Sequence, residues 1–195
     1  MGAIATREKL RSAALSLFVE QGVAETTTRD LASRAGIAEG TIYRHYKSKD
    51  DLVRDLFQHH YVRFGRELDR IQGETPGTVD DKLPAMIAYM CRLFDEEPTL
   101  YRFLLLAQHT ALPNIRSQPT SPAAVFARLV EQAVARDEVP KQNSALAAAM
   151  LLGAIIQPAL ALVYGTLGGA MSDFAPSIAR GCAALLRAPD RAAAA

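Results

Sequence analysis

Between Thr27 and Asp51 the chain places three helix starts and two helix stops in close succession, and this punctuation admits only short helices up to the last start. Thr27 followed by Asp30 reads as a capping box, with Asp where Glu is usual, and Gly36 ends the helix Thr28 to Ala35. A second pattern resumes after Gly36-Ile37-Ala38 and stops at Tyr46. Ser48 with Asp51 then opens a far longer helix, 48–71, carrying Leu52, Leu56, Phe57, Phe64, Leu68 and Ile71. Upstream, Thr6 reads as the N-cap of a first amphipathic helix, in which Leu10, Ala14, Leu17 and Phe18 recur at helical spacing until Gly22.

The rest of the chain is helical by the same criteria. Ala, Leu and Arg are abundant, β-branched residues are sparse, and no stretch alternates as a strand does. GETPGT at 73–78 marks a turn, and helices are expected at about 79–95, 98–109, 122–137, 143–166 and 173–188. The proline-rich string from Thr110 to Pro122 reads as a mobile loop. The fold class is therefore all-α with about nine helices. Three domains of organisation are expected: 1–50 as a helix-turn-helix unit, 51–190 as a ligand-binding and dimerisation unit, and 191–195 as a disordered tail.

Composition narrows the class further. With 49% hydrophobic and 22% charged residues the chain is an ordinary globular protein. Cys91 and Cys182 sit in apolar helical patterns with no CxxC partner, which favours buried reduced thiols. The start MGAIATREKLR lacks the apolar run of about 7 to 15 residues that a signal peptide needs, so a cytoplasmic protein is expected. Gln142 to Ser172 contains no charged residue and is long enough to span a membrane. Gln157-Pro158 at its centre, its Ala and Gly content and the lack of flanking basic clusters favour instead a helix buried partly by its own domain and partly by a second subunit.

The net charge of +1 hides a local excess: from Arg29 to Lys49 five basic residues face two acidic ones, Asp30 and Glu39. Two short helices joined by a glycine-containing turn form the unit that presents its second helix to a DNA major groove. Here 28–35 is the supporting helix and 38–46 the recognition helix. Ile37, Ile42 and Tyr46 are spaced to face Leu17, Phe18, Leu31 and Ala32, which leaves Glu39, Gly40, Thr41, Tyr43, Arg44 and His45 facing outward. Gly40 permits close backbone approach, Thr41 and Tyr43 can donate to phosphate or touch a thymine methyl, and Arg44 and His45 add positive charge. Glu39 has two readings, as an acceptor from a cytosine amino group or as a partner of the helix dipole. Thr28, Arg29 and Lys49, at helix starts, suit phosphate contacts.

TTTRDLASRAGIAEGTIYRHYKSKDDL resembles the N-terminal signature of the TetR family of bacterial transcriptional repressors. The likeness rests on the Thr pair, the Ala-Gly-Ile turn, Gly-Thr-Ile-Tyr, the aromatic Tyr46 and Lys-Ser-Lys before an acidic pair, and it covers residues 6 to about 57. It implies that Thr28 and Arg29 contact DNA from the supporting helix, that Ala38, Glu39, Gly40, Thr41, Tyr43 and His45 form the reading face, and that Lys49 anchors a phosphate. Arg44 joins the set through exposure and charge. The resemblance also implies a homodimer through helices 143–166 and 173–188, and a small-molecule pocket in the C-terminal domain. Pro158 should kink the penultimate helix.

The expected function is that of a sequence-specific DNA-binding regulator, a ligand-releasable repressor on a palindromic operator. The alternatives are an activator of the same fold and a DNA-binding protein without an effector. Tyr61, Phe64, Met86, Met90, Phe94, Phe103 and Phe126, with Gln108 and Gln157 as polar selectors, are the candidate pocket residues, and a small hydrophobic or aromatic effector is expected. No cofactor or metal is expected. His59 and His60, adjacent on a helix, diverge by about 100°. The Gly-rich 165–170 follows a helix where a dinucleotide site needs a strand, so no enzymatic activity is expected.

Overall fold

The computed structural model of the chain describes residues 3–111 and 119–188, and within them all side chains except those of residues 3, 106 and 108–111. Nine α-helices and no strand are found among the described residues: α1 (Ala3–Glu20), α2 (Thr28–Ala35), α3 (Glu39–His45), α4 (Lys49–Glu74), α5 (Val79–Glu96), α6 (Pro98–Ala111), α7 (Pro122–Ala135), α8 (Ser144–Val163) and α9 (Met171–Arg187). The all-α expectation holds. The expected loop falls largely on 112–118 and the expected tail on 191–195, both outside the described residues.

Two compact units are distinguished, one made of the described residues of Met1–His60 and Thr99–Asn114, the other of those of Tyr61–Pro98 and Ile115–Ala195. The division falls after His60, where the sequence suggested position 50, and α6 is grouped with the N-terminal helices. Helix α4 is contiguous in sequence across that division.

The first unit is built on the apolar spacing of α1. Leu10, Ala14, Leu17 and Phe18 are all at most 4% exposed, and with Leu31, Ala32, Ile42 and Leu56 they form one core. Phe103 of α6 belongs to it, its ring 6.2 Å from that of Phe18 and 6.4 Å from that of Phe57. The start of α1 differs from expectation. Helix α1 begins at Ala3, and Thr6 is a buried residue inside it. Thr6 lies one turn before Leu10 on the same face, so burial rather than capping decides its place.

In the second unit α5 packs on α9, and α8 packs on both α7 and α9. Leu83, Met86, Ile87, Met90 and Cys91 repeat at three- and four-residue intervals and are all buried. A capping box of Thr78 and Asp81 starts α5. Its far end carries Asp95, whose carboxylate accepts from the backbone N–H groups of Met171 and Ser172 at 2.9 and 2.8 Å and so caps α9. Cys91 and Cys182 are free and buried, and burial pushes each thiol up to about 11. Helix α8 is continuous through Pro158 and is long and apolar enough to cross a membrane. Within this chain its Ala147, Ala148, Leu151, Ile155 and Ala159 are buried, while Leu146 and Met150 are 55% and 43% exposed.

Candidate nucleic-acid interface

The local sequence builds the α2–α3 unit almost without help. Thr27 Oγ1 accepts from the Asp30 N–H at 3.1 Å, the Asp30 carboxylate accepts from the Thr27 N–H at 3.0 Å, and the capping box expected from the sequence is present. Gly36 ends α2 at φ 65°, a left-handed conformation that a side chain would strain. The Ile37 N–H then donates to the Ala32 carbonyl at 3.0 Å, which completes the reversal into α3. Ser48 Oγ accepts from the Asp51 N–H at 3.1 Å and opens α4.

Helix α3 is anchored from one side. Ile42 and Tyr46 are 3% and 2% exposed, whereas Tyr43 is 57% exposed. Ala38, Glu39, Gly40 and Arg44 are also exposed, and Thr41 and His45 are half-buried. A Cβ placed on Gly40 would meet nothing within 4 Å, so no packing inside the protein requires glycine there.

Three outward residues are bonded to one another. Thr28 donates its hydroxyl hydrogen to Glu39 Oε1 at 2.7 Å, and the Tyr43 hydroxyl approaches Thr28 Oγ1 at 3.5 Å. Glu39 thus ties the start of α2 to the start of α3, a role the sequence reading did not include. Arg44 donates to Thr41 Oγ1 at 3.1 Å, and Arg29 is exposed. Lys49 also has an internal role: its ammonium donates to the carbonyls of Ala24 and Thr26, both at 2.9 Å, and clamps the α1–α2 turn. One of its three N–H donors remains beyond those two bonds.

A polar cluster behind α3 was missed in the sequence. The Tyr46 hydroxyl donates to Asp55 Oδ2 at 2.7 Å, Arg11 Nε donates to the same oxygen at 3.0 Å, and Arg7 Nε donates to the Tyr46 oxygen at 3.2 Å. The Arg7 guanidinium also lies 5.4 Å from the Tyr46 ring centre. Burial alone would raise the Asp55 carboxyl, but hydrogen bonds from Arg11 and Tyr46 and the charges of Arg11 and Arg7 outweigh it and hold the group below the usual carboxylate range. Burial and the bond to Asp55 push the Tyr46 phenol upward, so it stays protonated and donates. The available signal was that a buried Tyr needs a hydroxyl partner.

The candidate pocket residues are dispersed. Met86, Met90 and Phe126 are core residues of the second unit, and Phe64 stacks on Tyr89 at 5.8 Å. Tyr61 and Phe94 are half-buried and Gln157 is exposed. Phe103 belongs to the first unit, and the Gln108 side chain lies outside the described residues.

Residues 10–56 match the family model described as "Bacterial regulatory proteins, tetR family". The HTH-type transcriptional regulator YvkB of Bacillus subtilis, itself described as uncharacterized, is 35% identical over 69 residues, which are 35% of this chain and 36% of that protein. The matched segment therefore spans about a third of that relative's length. The fold is shared along nearly the whole chain with two solved structures, each 19% identical. The fatty acid degradation regulator FadR from Bacillus halodurans has a TM-score of 0.83, covering 95% of this chain and 96% of that one. The transcriptional regulator FadR from Bacillus subtilis in complex with stearoyl-CoA has a TM-score of 0.79, covering 94% and 99%. The helix-turn-helix thus carries the sequence match to the tetR family of bacterial regulatory proteins, and all nine helices carry the likeness of fold.

Proposed function

We propose that the protein is a homodimeric transcriptional repressor that binds a palindromic operator through α3 and is released from it by a hydrophobic small molecule. The observation that carries this reading is the split character of α3: Ile42 and Tyr46 are buried, and Gly40, Tyr43 and Arg44 stand on an open face where no interior packing accounts for them. A duplex supplies what that face lacks, with phosphates for Thr41, Tyr43, Arg29 and Arg44 and base edges for the first turns of the helix.

One such helix reads only a few base pairs, so a two-fold pair on two half-sites is the means to affinity and specificity. Exposed Leu146 and Met150 on the uncharged α8 support a second copy as the covering surface. An open groove of about 530 Å3 between α7 and α8, lined largely by Ala and Gly with Leu152 and Ile156, supports the same assignment. The Met and Phe content of the second unit, and the stearoyl-CoA held by the Bacillus subtilis neighbour, support a long apolar effector. Helix α4 carries residues of both units and is the natural path for the signal.

The test is selection of bound fragments from the source genome by the purified protein at low salt, followed by anisotropy titration of the enriched sequence. A two-fold symmetric motif bound by a dimer is the expected result. No enriched motif at low ionic strength defeats the proposal.

A further inference from the structure

A cavity of about 310 Å3 lies entirely within the first unit, between the end of α1, the first turns of α4, and α6. Its walls include Phe18, Val19, Val23, Val53, Phe103 and Ala107. The two rings lie 6.2 Å apart at an interplanar angle of 21°. Such a volume is at the small end of ligand pockets, which run from about 300 to 1,000 Å3.

Two charged side chains, Asp50 and Arg54, complete the lining. Arg54 is already engaged by Asp51 at 3.5 Å. Asp50 enters no ion pair among the described residues, and it lies exposed in the first turn of α4. The group with charge left to offer a ligand is therefore a carboxylate, in a lining that also holds two aromatic rings.

We propose that this cavity binds a compact, mainly apolar amine, its body against Phe18, Phe103 and the valines and its ammonium on Asp50. The site is separate from the second unit, whose apolar interior is the proposed effector site. An occupant touches the regulatory machinery directly. Gly22 and Val23 in its wall run into the Ala24–Thr26 turn, which Lys49 clamps from the residue next to Asp50. Thr27 and Thr28, which cap and open α2, follow that turn. The effect on DNA rests on the function proposed above; amine binding itself does not.

The experiment is a titration of the full-length protein, methyl-labelled at valine, with tryptamine and in parallel with indole-3-propionate. Tryptamine is expected to shift the Val19, Val23 and Val53 methyl resonances saturably and to leave Val125 and Val130 of the second unit in place. Asp50→Asn should weaken tryptamine about fivefold, the size of one partly exposed ion pair. Val19→Trp and Val23→Trp, both at half-buried positions, should fill the cavity and abolish the shifts while circular dichroism stays native. If one of them misfolds, the other serves. Absence of saturable shifts at the three valines, equal binding of indole-3-propionate, or undiminished binding to a folded Trp variant overturns the proposal. Tryptamine should also change the affinity for the enriched DNA in the wild type and not in Val23→Trp; binding without that change overturns the regulatory part alone.

Discussion

Tyr43 and Tyr46 are three residues apart on one short segment and do opposite jobs. Tyr46 is buried, with its hydroxyl held by Asp55 and Arg7, while Tyr43 is more than half exposed, with one long contact to Thr28. Tyr43→Ala should therefore leave the melting temperature unchanged and weaken operator binding by about 1–3 kcal/mol in anisotropy titrations. Unaltered affinity would mean that α3 is not the reading element. Asp55 predicts a pH effect. Its folded value lies below the ordinary one, so its contribution is complete above the unfolded value of about 4 and is lost as pH falls through the lower folded value. Urea midpoints measured from about pH 6 down to about pH 3 should fall further in the wild type than in Asp55→Asn. Equal slopes would show that the cluster does not stabilise the fold.

At the scale of elements, two helices approach each other at a point that the sequence did not advertise. Gly65 in α4 is buried, and a Cβ there would overlap the carbonyl oxygen of Thr120, just before α7. Backbone rather than a flexible side chain is the obstacle, so α4 and the start of α7 must part to admit a methyl group. Gly65→Ala is expected to cost about 1–3 kcal/mol of stability, by the usual penalty for overpacking. Gly73, farther along the same helix with open space around its Cβ position, is the control. A denaturation midpoint for Gly65→Ala equal to that of Gly73→Ala would contradict the close approach.

For the whole molecule the decisive surface is the outer face of α8. A 20-residue uncharged helix with Leu146 and Met150 in the open is the surface that the proposed dimer would cover. Leu146→Asp combined with Met150→Asp should convert the proposed dimer to monomers in sedimentation velocity and reduce operator affinity by at least about a hundredfold, since two half-sites no longer bind together. The isolated α3 contacts stay intact in that variant. Monomers that still bind the operator at full strength would separate DNA reading from pairing and reject the dimer as its basis.

Helix existence, most helix boundaries and the inward and outward faces of α3 were determined by the chain's own local order. Caps such as Thr27 with Asp30, the left-handed stop at Gly36 and the recurrence of Leu10, Ala14, Leu17 and Phe18 act over a few residues, and local rules read them directly. Four matters were decided only by the folded chain: the burial of Thr6 inside α1, the turn clamped by Lys49, the carboxylate of Asp55 shared by Tyr46 and Arg11, and the placement of Phe103 with the N-terminal helices. Asp55 and Phe103 join residues from different helices, and Lys49 joins a helix to a turn. Local spacing tells which way a side chain leaves its own helix, but its partner depends on how whole helices pack, and that is settled by the summed burial of the core rather than by any short stretch of sequence.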